Sequence, residues 1–401
     1  MHGLLTVMVL ICVFALSDGA LFTLSIDYTA PTGSMFEKIH PAVYLLSFIV
    51  ALRLLRSNYR RAASTASVLL MLTAFLVLQV LVVVRSDLTG GEQSAIIVTF
   101  LCSALAGICI NGSGPGSMTW LRAPLATFFT INSLVGIIEV VTGERLFPFI
   151  ISGAEKVGDP RATAFMGHPL INSCITGCFL ILLYFRRDIR FRHAILAINA
   201  GGLIAFGGRT AVVMILVILI LDIVTFQLGS STVRAQTNRM IGMFALAAAA
   251  IFALIAFSSS SPVELFTDRF FNDDGSADQR ISAFAMLEEL TLDEWLIGAS
   301  GMRTDWLKTY YASKSGIEIS WVALLITYGL PSSALLFVAV AWVIRDAVRS
   351  HGPIGAYLFI YFLLLVSASL SIGTKTLLLT QFMFLMAIYR PPVAQAPKVN
   401  G

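Results

Sequence analysis

Read along its length, the chain is a succession of apolar runs with polar residues gathered into the intervals between them. The runs lie near 3–25, 40–56, 65–84, 94–110, 121–142, 169–185, 193–207, 210–228, 240–258, 317–344, 354–372 and 374–389. A bilayer core needs about 20 apolar residues per helix, so the pattern predicts about twelve transmembrane helices. None of the runs shows the period-two alternation that a membrane barrel requires. One interval, 259–315, breaks the rhythm: it is long, polar and charged, and it ends in an amphipathic stretch before the next apolar run.

This predicts an all-α, polytopic integral membrane protein. Helices 1–9 occupy 1–258, a large external loop with short helices spans 259–315, helices 10–12 occupy 316–390, and a Pro- and Ala-rich disordered tail covers 391–401. Composition agrees, because 57% hydrophobic residues, 12% charged residues and a mean hydropathy of +0.85 leave too little polar surface for a soluble chain of 401 residues.

Lys and Arg in short loops stay on the cytoplasmic side of a membrane. An inside N-terminus places Arg53, Arg56, Arg60 and Arg61 in one inner loop and Arg186, Arg187, Arg190 and Arg192 in another. Both termini are then cytoplasmic and the polar interval is external. The first run has only His2 as a basic residue and carries Asp18 late, which fits an uncleaved helix better than a secretory signal. Cys12, Cys102, Cys109, Cys174 and Cys178 all fall in or at the ends of apolar runs, so no disulfide framework, redox centre or metal site is expected. The Gly-Ser-Gly-Pro-Gly-Ser stretch at 112–117 lacks the Lys-Ser or Lys-Thr ending of a phosphate loop and reads as a turn.

The remaining chemistry is on the expected outer face and consists of arginines and carboxylates. Residues 158–172 place Arg161 and His168 just before a helix, Gly207-Gly208-Arg209-Thr210 forms a tight turn, and the large loop carries Arg269 and Arg280. A single such arginine is ordinarily an interfacial anchor. Four at one face point to a polyanion, because the planar guanidinium fork matches phosphate oxygens.

These residues carry a resemblance to the O-antigen ligase and Wzy-type polysaccharide polymerase superfamily, on its exopolysaccharide polymerase branch. The shared pattern is Arg161, then Thr163-Ala164-Phe165 and a Pro-containing helix start; the Gly-Arg-Thr turn; Arg280 and an amphipathic helix; Trp295-Leu-Ile-Gly-Ala-Ser-Gly301; and a span broken at Tyr328-Gly329-Leu330. It covers most of 155–345. The resemblance implies an inverting, metal-independent glycosyltransferase of the bacterial inner membrane without a cofactor. Its substrate would be a polyprenyl-diphosphate-linked oligosaccharide, and its partners membrane lipid, a chain-length regulator and a flippase, with no nucleic acid.

The residues fit that implication, since the sequence has no Asp-x-Asp metal-holding pair and fixed arginines can stabilise a departing diphosphate. Arg161, Arg209, Arg269 and Arg280 are the expected substrate-binding residues. Where ligases carry a histidine this chain reads Gly316-Ile317-Glu318-Ile319-Ser320. Glu318 is a candidate general base and equally a candidate arginine partner. His168 is the alternative base, or a helix cap before Pro169. A ligase transferring finished glycan is the same-class alternative, and a flippase or exporter without chemistry is the alternative of another class; the latter would favour charges in mid-helix, whereas Glu139 and Asp222 lie near helix ends.

Because the arginine-rich intervals set the orientation, an export-dependent enzyme reporter fused at Gly275 is expected to be active and one at Ser230 silent. The reverse pattern would overturn the assignment of faces.

Overall fold

The structure, a computed structural model, describes residues 2–30, 33–85, 90–114, 116–151, 153–186, 189–227, 242, 264, 268, 276–311, 317, 319–368 and 373–391. It is mostly helical. Helices α1 (His2–Phe14), α2 (Asp18–Thr23), α3 (Pro41–Arg53), α4 (Ser57–Ala63), α5 (Ala66–Val84) and α6 (Gly90–Ile96) lead through a π turn at Ile97–Leu101 into α7 (Cys102–Gly112). Then come α8 (Arg122–Thr142), α9 (Pro169–Phe185), α10 (Arg192–Ala205) and α11 (Arg209–Gln227). The polar interval contains α12 (Ser276–Glu288), α13 (Leu292–Ile297) and α14 (Gly301–Tyr310), followed by α15 (Ser320–Val348), α16 (Pro353–Ala368) and α17 (Leu378–Ile388).

Among the described residues, four helical stretches are long and apolar enough to cross a membrane: Ala66–Val84, Gly91–Gly112, Thr119–Thr142 and Ser320–His351. Gly3–Phe14, Pro41–Arg53, Pro169–Phe185, Pro353–Ser367 and Leu378–Ile388 are shorter apolar helices. Twelve full spans are therefore not what the described residues show, and the predicted run 240–258 and most of the tail lie outside them. The expected run 3–25 is divided, because the Ser17 hydroxyl accepts from Ala20 N and starts a separate helix, α2. The interval 143–168 holds a small antiparallel hairpin, β1 (Ile150–Ile151) with β2 (Ala154–Glu155), that the all-α reading did not foresee.

Helices α7, α9 and α17 form the centre and are buried nearly all round, as an apolar helix without a polar face must be. Helices α5, α8, α11 and α15 surround them. Their outward faces expose large aliphatics such as Val83, Val84, Ile138, Ile220 and Val338. A ring of that kind is compatible with lipid on the outside and incompatible with water.

Helix α15 is interrupted where the sequence places Gly329, which adopts φ 75°, ψ 168°. Pro331 follows and has no N–H to offer the carbonyl four residues back. That carbonyl, Thr327 O, accepts from Arg85 Nη1 at 2.6 Å instead. The Ile326 carbonyl accepts from Ala299 N at 2.7 Å. The α13–α14 connection is thus docked into the break, and Arg85 closes it by donating also to Ile297 O at 2.9 Å and Ala299 O at 2.5 Å. Beneath it Met286, Leu290, Leu307, Val322 and Ile326 form a separate apolar cluster that fastens the loop helices to α15.

At the other end of the bundle, arginines satisfy helix-terminal carbonyls. Arg122 Nε donates to Ile388 O at 3.0 Å and Arg186 Nη1 to Tyr389 O at 2.5 Å, while Arg390 Nε reaches Ser350 Oγ at 3.1 Å. Arg186 is among the residues expected at the inner face from charge.

Since hydrogen bonds from a charged donor contribute about 1.5–3 kcal/mol each, Arg85→Met is expected to lower stability by about 2 kcal/mol or more. The same variant should open the 297–301 segment to limited proteolysis. Unchanged cleavage and melting would show that the loop holds its place without Arg85.

Candidate functional site

The segment from Arg161 to His168 is irregular backbone and is strapped down by buried side chains of neighbouring helices. Glu139, near the end of α8, accepts from three backbone amides: Leu146 N at 2.8 Å through Oε1, and Thr163 N and Ala164 N at 2.8 and 2.9 Å through Oε2. Asn132 Oδ1 accepts from Phe165 N at 3.0 Å, and its amide donates to Asn172 Oδ1 at 2.8 Å. Asn172 in turn donates to Thr163 O at 2.7 Å. Ala164 is held at φ 41°, an uncommon value for a residue with a Cβ, and the Glu139 contact at its own N–H fixes it there.

This strap presents Arg161. Its Nε and Nη2 donate to the two carboxylate oxygens of Asp159 at 3.0 and 2.8 Å, and the Asp159 side chain is fully buried. The fork is fixed along one edge, so Nη1 and the second Nη2 hydrogen remain for a ligand. Arg145 secures the same turn by donating to the carbonyl of Asp159 and, at 3.2 Å, to that of Lys156. The Arg161 stem lies across Gly207, where a Cβ would sit 2.7 Å from Arg161 Cδ; only glycine allows that approach. Ala162 N donates to Ala205 O at 3.1 Å beside it. The two arginine motifs, far apart in sequence, are therefore side by side, with Arg209 opening α11 directly after the glycine turn.

Arg280 lies on α12, which packs on α15. The first residue of α15, Ser320, accepts from Gly373 N at 3.4 Å, so the start of α15 borders the segment at Gly373. Glu318 and Arg269 lie outside the described residues; Ile317 and Ile319 on either side of Glu318 are buried in the cluster under the loop helices.

His168 is the N-cap of α9, with Nδ1 accepting from Leu170 N at 3.2 Å. Proline at the first helical position leaves the next N–H as the orphan to be satisfied. Burial, reinforced by the Arg161 charge, lowers its pKa to about 4, so it is neutral at pH 7. Its acceptor lone pair is committed to the cap and the other nitrogen carries the proton. That geometry fits the cap reading and is poorly suited to a general base. His40-Pro41 repeats the arrangement at the start of α3: Nδ1 accepts from Ala42 N at 3.1 Å and Nε2 donates to Leu16 O at 2.7 Å. Burial likewise lowers His40 to about 4.

Both histidines border one small cavity of about 30 Å³, which Asp18, Lys375 and Gln381 also line. Lys375 donates to the Tyr28 carbonyl and stands 3.6 Å from the centre of the Tyr28 ring. Thr99, in the π turn, positions the strand of chain that carries it, donating to Thr374 O at 3.0 Å and accepting from Thr376 N at 3.1 Å. Ser17 abuts Gly167, which joins the cavity to the Arg161–His168 strap. Sequence reasoning did not single out Asp18, His40, Lys375 or Gln381 for the site. A signal was present in the repeated His-Pro helix starts and in an acid and a lysine beside otherwise apolar runs.

No protein-family model matches the chain, and no curated protein matches it significantly. The arrangement can bind an anion at the free edge of Arg161 and a polar ligand in the adjoining cavity.

Removing a cap of this kind costs about 1 kcal/mol. His168→Ala is expected to melt earlier by that amount, and His168→Asn, which can still cap, to recover most of it. In a glycosyl-transfer assay the Asn variant should fall less than about tenfold, against the 10²–10⁴ that loss of a base brings; a larger fall with the fold intact would reinstate His168 as the base.

Proposed function

We propose that the chain is a polysaccharide polymerase of the bacterial inner membrane, joining polyprenyl-diphosphate-linked oligosaccharide repeat units on the external face. Both termini are cytoplasmic in this reading, because the arginine-rich end of the bundle is the inner one. The observation that carries it is the convergence of Arg161, fixed by Asp159 and crossing Gly207, with the turn that leads into Arg209. A guanidinium held along one edge offers the other to phosphate oxygens without reorganising, which is how a fixed charge stabilises a leaving group.

In the reaction the acceptor hydroxyl oxygen attacks the anomeric carbon, the bond from that carbon to the diphosphate breaks, and its electron pair leaves with the lipid diphosphate. Arg161 and Arg209 carry the developing charge. Arg280, on the loop helices beside the start of α15, contributes to holding the donor or the growing glycan. Roles for Arg269 and Glu318 rest on the resemblance alone. Transport without chemistry is the weaker reading: Glu139 is occupied by three backbone amides, and Asp222 accepts from the Tyr184 hydroxyl at 3.3 Å, so both near-terminal helix charges have structural partners.

The test is elongation of a purified lipid-linked repeat unit by the protein in lipid nanodiscs. Wild type should elongate it. Arg209→Lys and Arg280→Lys should lose turnover by about 10²-fold or more while inserting at normal levels, because a lysine cannot make a bidentate fork. No elongation by wild type would dispose of the polymerase reading, and full activity in both Lys variants would reduce these arginines to interfacial anchors.

A further inference from the structure

The cavity beside the arginine strap has a composition that the donor site does not explain. Besides Ser17, Tyr28, His40, His168 and Thr376, its polar lining consists of a carboxylate, Asp18; an ammonium, Lys375; and the amide of Gln381. Gln381 is 4% exposed, and its Nε2 donates to Val13 O at 2.8 Å, which fixes the amide orientation. Its Oε1 then has no hydrogen-bond partner among the described residues. A buried acceptor left unmatched is rare in folded proteins and calls for a donor from elsewhere. Asp18 and Lys375 feel each other's charge across the cavity, yet no direct ion pair joins them among the described contacts. The rest of the wall is apolar, including Phe14, Met166 and Leu377.

Two acceptors and a cationic donor around a half-apolar space match hydroxyls at the rim of a polyhydroxylated ring. The cavity has about 30 Å³ of room, enough for one or two hydroxyl-sized groups. It is linked to Arg161 through the 161–168 strap, with Gly167 against Ser17.

We propose that this cavity receives the hydroxyl-bearing end of the acceptor saccharide and that the Asp18 carboxylate takes the hydroxyl proton as the glycosidic bond forms. The inference rests on the glycosyltransferase reading and deepens it. In the balanced step the acceptor oxygen bonds to the anomeric carbon and its proton passes to Asp18. The bond to diphosphate breaks, with its electron pair leaving on the lipid diphosphate held by the arginines. Gln381 Oε1 accepts from a second hydroxyl of the same ring. Lys375 is a positioning residue that keeps Asp18 ionised.

The groups facing Asp18 are Lys375, from the segment before α17; His40, before α3; His168, before α9; and Tyr28, with Lys38 also near Lys375. Burial raises the Asp18 carboxyl to about 6, with Lys375 restraining the rise, and burial lowers Lys375 to about 8. Both histidines are neutral throughout this window. Activity should therefore climb as pH rises through about 6, when Asp18 becomes the ionised base.

The experiment compares Asp18→Asn, Lys375→Met and Gln381→Leu in the elongation assay, with binding of polyprenyl diphosphate and thermal unfolding measured separately. Asp18→Asn should lose 10²–10⁴ in turnover while binding polyprenyl diphosphate normally and melting no earlier. Lys375→Met should move the acid limb to higher pH, because removal of a nearby positive charge raises the Asp18 pKa. Gln381→Leu should raise the acceptor KM about tenfold with kcat less affected, the equivalent of one hydrogen bond. If wild type elongates and Asp18→Asn does so within threefold of it, this inference alone falls. If Asp18→Asn also loses polyprenyl diphosphate binding or melts early, the residue is structural and the inference is overturned. If wild type does not elongate at all, the glycosyltransferase reading falls and carries this one with it.

Discussion

The constraint on which this structure depends is that backbone amides and carbonyls surrounded by apolar groups must be satisfied from within the protein. Regular helix does this by itself, so every departure from helix needs a side chain to complete it. Glu139, Asn132 and Asn172 supply acceptors and donors to the 161–168 strap. Arg85 supplies donors to the break in α15, and Thr99 holds the segment before α17. The irregular segments so completed are the ones that carry Arg161, His168 and Lys375. Polar residues in the apolar runs are therefore there chiefly to permit irregular backbone, and the irregular backbone is what displays the chemistry.

The same constraint sorts the arginines. Arg122 and Arg186 are committed to carbonyls at the end of α17, and Arg145 to the Asp159 turn. Counting cations at a face does not distinguish these from ligand-binding residues, since a helix terminus and a phosphate both present oxygens to the guanidinium. Geometry does distinguish them: Arg161 has one edge fixed by a buried carboxylate and the other turned away from it.

Hydropathy alone revealed the mostly helical, membrane-type class and the start and stop of α5 and α9, because long apolar runs are local signals, whereas the break at Gly329 entered with the family resemblance. The alternation of loops also put Arg161 and the Gly207-Gly208-Arg209 turn on one face, and the structure has them adjacent. What it missed is non-local or depends on small local competition. The first run reads as one helix because Ala15, Leu16 and Ser17 do not lower its hydropathy enough, yet a Ser17 cap divides it. Asp18, Lys375 and Gln381 come from the two ends of the chain, and only folding shows that they share a cavity. The two His-Pro starts were visible, but a cap and a base use the same nitrogen, and only the bond from Leu170 N to Nδ1 separates them.

A carboxylate and an ammonium enclosed together face a choice set by distance. In direct contact they would neutralise each other and hold their protonation states over a wide pH range, which favours stability and disfavours proton transfer. Set apart across a polar cavity, each is destabilised by burial and only partly compensated, so both are drawn towards neutral pH from opposite sides. That separation leaves room for a hydroxyl between them and keeps the carboxylate basic enough to receive its proton. In the proposed reaction a diphosphate leaving group would need little push from the acceptor once arginines took up its charge, so a base of modest strength would be sufficient. The spacing of Asp18 and Lys375, set by Ser17 at one end and Thr99 at the other, is the feature on which such a division of labour would turn.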